Sequence, residues 1–274
     1  MAGNKNERLE EFAIERLRKR LGELPALSLR VQVLRGNKAD SRMARDDAAT
    51  APFNLSHQVM HLLSSSLEHL LTISSLAGEL RSMPPYTLAR AAIENAAAAL
   101  YLLTPAERKE RVRRLLHYAA ADEADRDIAH RLSKTSMTPS KQERLDHLAR
   151  IGEAAGLSRD LVLGSPKSWT GIVQDAGQHL DERGKDVELL WRLCSGFTHG
   201  RTWAMLSTLE RGEELEREDG SVIIEMRASI SVLSACVELS VLLVDMALQL
   251  SERASVVWTG SGPDVEKDPD SEVP

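Results

Sequence analysis

Along this chain apolar residues recur mostly at the three- and four-residue spacing of an α-helix, and rarely at the alternate spacing of a strand. Residues 6–22 place Leu9, Phe12, Ala13, Leu17 and Leu21 on one side, which predicts an amphipathic helix. Residues 35–54 show no clear period and read as a loop, so 1–54 reads as a helix-and-loop arm. From Leu55 the helical period returns. Met60, Leu63, Leu67, Leu70, Leu71 and Leu80 predict a helix over 57–81, ended by Pro84-Pro85, neither of which can donate a backbone hydrogen bond. Thr87 is placed to cap a helix over 88–103, whose alanines on either side of Asn95 suit close helix contact.

Thr104-Pro105-Ala106-Glu107 combines a cap, a proline suited to the first helical position and a glutamate that returns the cap, and predicts a helix to about Leu132. Ser140 and Glu143 repeat that logic for a helix over 141–155, closed by Gly156. Residues 157–185 read as a loop with one short helix after Ser168. Asp186 is placed to cap a helix running to about Ser207. The stretch 208–226 is the one non-helical candidate: Glu218-Asp219-Gly220 can turn the chain and Val222-Ile223-Ile224 can form a short strand. A last helix spans about 228–251.

The sum is an all-α fold: a single helical bundle over 55–256, the N-terminal arm over 1–54, a short β-turn segment near 208–226, and a tail over 257–274 whose acidic residues and prolines read as disordered. Composition agrees with this. Aromatic residues make up only 4% of the chain, which leaves little strand material beside its many strong helix formers. A chain of 274 residues, 42% apolar and 28% charged, can bury a large core as a soluble protein. Ile230–Leu250 is mostly apolar over 21 residues, but Glu238, Asp245 and Gln249 interrupt it, so it reads as a buried bundle helix and no membrane contact is expected. The charged N-terminus does not read as a signal peptide, and Cys194 and Cys236 lack zinc spacing, so a reduced, cytoplasmic protein is expected. A net charge of −6 argues against a whole-protein electrostatic grip on nucleic acid and leaves only a local patch for one.

One stretch carries candidate chemistry. In Leu189-Leu190-Trp191-Arg192-Leu193-Cys194-Ser195-Gly196-Phe197-Thr198-His199-Gly200-Arg201, Arg192 and His199 lie seven residues apart. At about 100° per residue this returns them to one helical face, with Ser195 and Gly196 between them. Leu190, Leu193, Cys194 and Phe197 lie opposite and can face the core, while Trp203 falls on the side of Arg192. Arginine offers a fork of donors to phosphate oxygens, and histidine can take a proton from a ribose 2′-hydroxyl. Gly196 would let a backbone come close.

This arrangement resembles the HEPN superfamily, in which an arginine and a histidine with four to six residues between them occur late in a small helical bundle. Here Arg192 and His199 match, with six residues between them; Leu193 stands where many members place a polar residue. The resemblance implies a pair at a homodimer interface, metal-independent RNA cleavage, a role in toxin or phage-defence systems, RNA or an antitoxin protein as partner, and no cofactor. A broader resemblance, on Arg90-x-x-x-Glu94 and the later Ser-x-x-x-His-Gly, is similar to bacterial helical families of unknown function and covers roughly 55–250.

Structural roles compete with these. The last helix carries a polar stripe of Ser231, Ser234, Glu238, Asp245 and Gln249, and a buried carboxylate needs a partner. The expectation is that Glu238 or Asp245 pairs with Arg192, His199 or Arg90, either supporting a site together with Ser195, Gly196 and Glu94 or, if the pair is structural, in a non-catalytic helical interaction protein. Arg90 and Glu94 share a face with Tyr101 as an ordinary helix pair. A metal-binding bundle is the third reading: His57, His61 and Glu68 share a face, although no paired Glu-x-x-His repeat accompanies them and a solvated or packing face is favoured. The mixed-charge run Glu107–Arg114 reads as a solvated face, or as a track for an RNA backbone.

Overall fold

Local capping signals fix several helix ends. The Ser140 side chain accepts from the Glu143 backbone N–H and the Glu143 carboxylate accepts from the Ser140 N–H at 2.8 Å, which opens α6 (Lys141–Ala154). Gly156, at φ +73°, takes the left-handed conformation that ends it. In the computed structural model the backbone is described for residues 2–34, 37–76 and 82–257, with side chains from residue 8 onward. The elements are α1 (Ala2–Val33), α2 (Arg42–Thr50), α3 (Leu55–Leu76), α4 (Pro84–Leu103), α5 (Arg108–Leu132), α6, α7 (Arg159–Leu163), α8 (Trp169–Gly177), α9 (Gly184–Thr198), α10 (Thr202–Thr208), β1 (Glu210–Glu216), β2 (Val222–Arg227) and α11 (Ile230–Ala254). A six-residue 3-10 segment, Gln178–Arg183, joins α8 to α9. The fold is all-α as the periodicity predicts, and the antiparallel β1–β2 hairpin is the only sheet among the described residues. The tail read as disordered lies outside them from residue 258 on.

The differences from the sequence reading have physical causes. The stretch 35–54 is not all loop. Ser41 caps α2 by accepting from the Ala44 N–H, and Met43 and Asp46 on that short helix are buried. Helix α1 runs well past residue 22, because Leu24, Leu27 and Val31 continue its buried stripe beyond Pro25. Of the apolar side read for residues 6–22, Ala13 and Leu17 are buried while Leu9 and Phe12 are exposed. Pro84 and Pro85 begin α4 rather than stand before it, since a first turn needs no donor from them. Thr104 does not cap α5. That helix starts at Arg108, because the Arg111 guanidinium donates to the carbonyl oxygens of Pro105 and Ala106 and holds the segment outside the helix.

The described chain divides into two units. The first gathers residues 1–32, 62–98 and 169–246. Within it, Tyr86 stacks on Phe197, with ring centroids 4.2 Å apart, and donates its hydroxyl to the Ser229 carbonyl at 3.0 Å, joining α4, α9 and the lead-in to α11. Ser66 donates to the Ala92 carbonyl at 2.8 Å, where α4 is lined with buried alanines.

The second unit gathers residues 33–61, 99–168 and the chain from 247. Val112, Leu116, Leu148, Leu157 and Val162 form its apolar cluster, with Phe53 and Leu145 packed against it. At its edge Arg111, only 1% exposed, donates from Nε to Asp46 Oδ2 at 2.7 Å and from Nη2 to Oδ1 at 3.0 Å. Arg113 and Arg114 clasp Glu110 and hold its carboxyl down at about 2. Within the run 107–114, Arg111, Arg113 and Arg114 are spent on carboxylates and carbonyls of the same unit, while Glu107 and Lys109 are exposed.

Helix α11 is long and apolar enough to cross a membrane, and most of its apolar window is buried inside the protein.

Candidate functional site

Val187, Trp191, Cys194 and Phe197 bury one side of α9. That leaves Leu189, Arg192 and His199 exposed on the other, as the helical wheel requires. The helix does not continue to Ser207. It ends at Thr198, with His199 as its C-cap and Gly200 at φ +61°, a conformation that favours glycine. The chain then reverses into α10, which folds back over α9.

Gly196 makes that return possible. A Cβ built on it would lie 2.4 Å from the Ala204 Cβ and 3.3 Å from the Trp203 ring. Gly196 is thus buried beneath α10 and does not receive a ligand backbone. In exchange, the Trp203 indole is placed against α9 at the step between Arg192 and His199, and remains 53% exposed. Ser195 is half-buried, and its hydroxyl oxygen is enclosed without a hydrogen-bond partner.

The partners expected from the last helix are engaged elsewhere in this unit. Glu238 is met by Arg16 at 2.9 Å, Arg183 at 3.3 Å and Arg20 at 3.5 Å. Asp245 is met by Arg30 at 2.5 Å. Among the described contacts neither pairs with Arg192, His199 or Arg90, so the expectation that α11 neutralises the pair is corrected. Arg90 bonds Glu94 at 2.9 Å, and the Trp191 indole N–H donates to the same Glu94 oxygen at 2.9 Å. This places Arg90 and Glu94 in a packing network under α9.

Arg192 donates instead to Glu188, one turn earlier, at 2.7 Å. Gln174 and Arg192 together draw the Glu188 carboxyl below its usual range. Glu188 was legible from its i,i+4 spacing and was missed; the arginines around Glu238 leave no such local signal. An exposed pair of this kind is screened by water and does not lock the guanidinium.

Cys194 and Cys236 are free, buried thiols with their sulfurs 3.6 Å apart, and the hydrogen bond with Cys236, followed by burial, pushes the Cys194 thiol well up. They serve α9–α11 packing as small apolar groups.

Among the described residues no three His, Cys, Asp or Glu side chains converge as a metal cage. His57 and His61 do border one cleft, in the second unit. Glu68, expected on their face, is not part of its lining.

Arg192 on α9, His199 at its C-cap and Trp203 on α10 are therefore all exposed, with the Arg192 guanidinium held to Glu188 through two of its nitrogens. That set can contact phosphate, exchange a proton and stack on a planar ring. Compared with known protein families, curated proteins and solved structures, the chain matches none.

Proposed function

We propose that this chain is an HEPN-like RNA-processing protein of the defence type, working in the cytoplasm as a homodimer and cleaving RNA without a metal through Arg192 and His199. The observation that carries the reading is that Arg192 on α9 and His199 at its C-cap are both exposed while Glu238 and Asp245 of α11 are occupied by other arginines. In the reaction His199 accepts the proton of a ribose 2′-hydroxyl as that oxygen attacks the adjacent phosphorus. The bond from phosphorus to the 5′ oxygen breaks, the leaving oxygen takes up a proton, and the products are a 2′,3′-cyclic phosphate and a 5′-hydroxyl. Arg192 donates to the non-bridging oxygens as charge builds on them, its contact with Glu188 being weak enough to share. The test is RNA incubated with the protein in excess EDTA: cleavage leaving cyclic phosphate ends, lost in Arg192→Ala and in His199→Ala, is the expected result, and two folded, fully active variants would refute the assignment.

A second reading, a non-catalytic interaction module, is favoured by a different observation. Leu189 on α9 and Trp203 and Leu206 on α10 are all exposed, and exposed large apolar groups are common where a protein partner docks. It expects no cleavage under any condition, with Trp203→Ala weakening self-association.

A further inference from the structure

Outside the α9 surface, the second unit holds a cleft of about 480 Å³. Its rim is the first part of α3, which is well fixed. The Asp47 carboxylate accepts from the Ser56 backbone N–H at 2.9 Å and from its hydroxyl at 2.6 Å, capping that helix end. His57 and His61 stand one turn apart on the capped segment, both exposed and both lining the cleft. Residues four apart on a helix have Cβ atoms about 5–6 Å from each other, so two imidazoles there can turn inward onto one ion. Among the described contacts no hydrogen bond or ion pair engages either ring, which leaves a nitrogen lone pair available on each.

The surroundings select the ligand class. Phe53, Met60 and Leu115 supply apolar walls, and Asn54 and Gln58 add amide oxygens along the rim. Imidazole nitrogen is a borderline donor that suits zinc, copper and nickel, whereas magnesium and calcium require oxygen cages. No carboxylate or thiolate lines the cleft, so a hard cation finds no charged ligand there. We propose that His57 and His61 chelate a single late first-row divalent ion, Zn²⁺, Ni²⁺ or Cu²⁺, in this cleft, with its other coordination positions open to water or the rim amides. A closed structural zinc site uses four protein ligands. Two ligands make an open, exchangeable site that does not hold the fold together, and the proposal rests on no part of the chemistry assigned to Arg192 and His199.

The experiment uses untagged full-length protein and two probes. Calorimetric titration with Zn²⁺ is expected to show one equivalent bound, insensitive to millimolar Mg²⁺, with affinity reduced at least tenfold in His57→Gln and likewise in His61→Gln. Both residues are exposed, so both variants should fold, and unchanged melting curves check this. Substoichiometric Cu²⁺ is expected to broaden the Met60 methyl resonance before those of Met43 and Met226, which locates the ion. Absence of Zn²⁺ binding, binding that keeps its affinity in either single variant, or broadening that starts elsewhere would overturn the proposal.

Discussion

Two arginine–carboxylate pairs in this molecule have the same chemistry and opposite fates. Arg111 and Asp46 are 1% and 2% exposed at their side chains and share two hydrogen bonds, and Arg111 also reaches two backbone carbonyls. Arg192 is 53% exposed and meets Glu188 one helical turn away. The first guanidinium has its donors directed at partners of its own unit and stays in place; it is architecture. The second directs Nε and one Nη at a half-buried Glu188 oxygen, at the surface of the protein, and has no buried partner of the Arg111 kind. An arginine's availability for function is set here by burial and by the number of its partners, not by the charge run it occupies. Glu107–Arg114 carries five basic residues in eight, yet three of its arginines are committed to holding their own unit together.

The comparison can be broken first at its buried end. Arg111→Ala leaves the Asp46 carboxylate unpaired in the interior and releases the carbonyls of Pro105 and Ala106. A loss of about 3–5 kcal/mol is expected in urea unfolding. A cost under about 1 kcal/mol, the range of exposed pairs, would erase the distinction.

Next in size is the glycine that shapes the exposed end. Gly196→Ala puts a methyl group 2.4 Å from the Ala204 Cβ, so α10 must shift. Overpacking of this kind costs about 1–3 kcal/mol, and it should also move the Trp203 fluorescence maximum. An unchanged spectrum at unchanged stability would show that α10 does not rest on Gly196.

Glu110 is an intermediate case, clasped by Arg113 and Arg114 at the rim of the second unit. Its carboxyl is held at about 2, below the usual 4.5. A depressed carboxylate stabilises the folded state fully above its unfolded value, and that contribution is lost as pH falls from about 4.5 toward 2. Glu110→Gln should therefore flatten the acid dependence of stability within this window and lower stability at neutral pH. Acid-unfolding profiles that superimpose on wild type would contradict the clasp.

What the sequence reveals and what it hides follow the same division. Ser140 and Glu143 are three residues apart, so their capping box can be read from four letters, and it forms as written. The turn at Gly220 and the strand after it were likewise legible, because turn chemistry and β-branched residues are local signals. The outward direction of Arg192 and His199 followed from angular spacing alone. The pairing of Arg111 with Asp46 spans 65 residues and has no local trace. The same is true of Arg16, Arg20 and Arg183 gathering on Glu238 from distant parts of the chain. Helix α2 was hidden because its signal is one cap and a few buried side chains, too short for a period to show. The break at His199–Gly200 was hidden for another reason: the apolar period continues into α10, and only the +61° φ of Gly200 ends the first helix.

The smallest expected effect on stability carries the largest expected effect on activity, and it decides the account. RNA cleavage rates in excess EDTA should be measured for wild type, Arg192→Ala and His199→Ala on samples whose melting curves are recorded alongside. The account predicts melting temperatures that coincide with wild type and cleavage that disappears in both variants. Coincident melting with cleavage retained in both, or a wild type that leaves RNA intact, would contradict it.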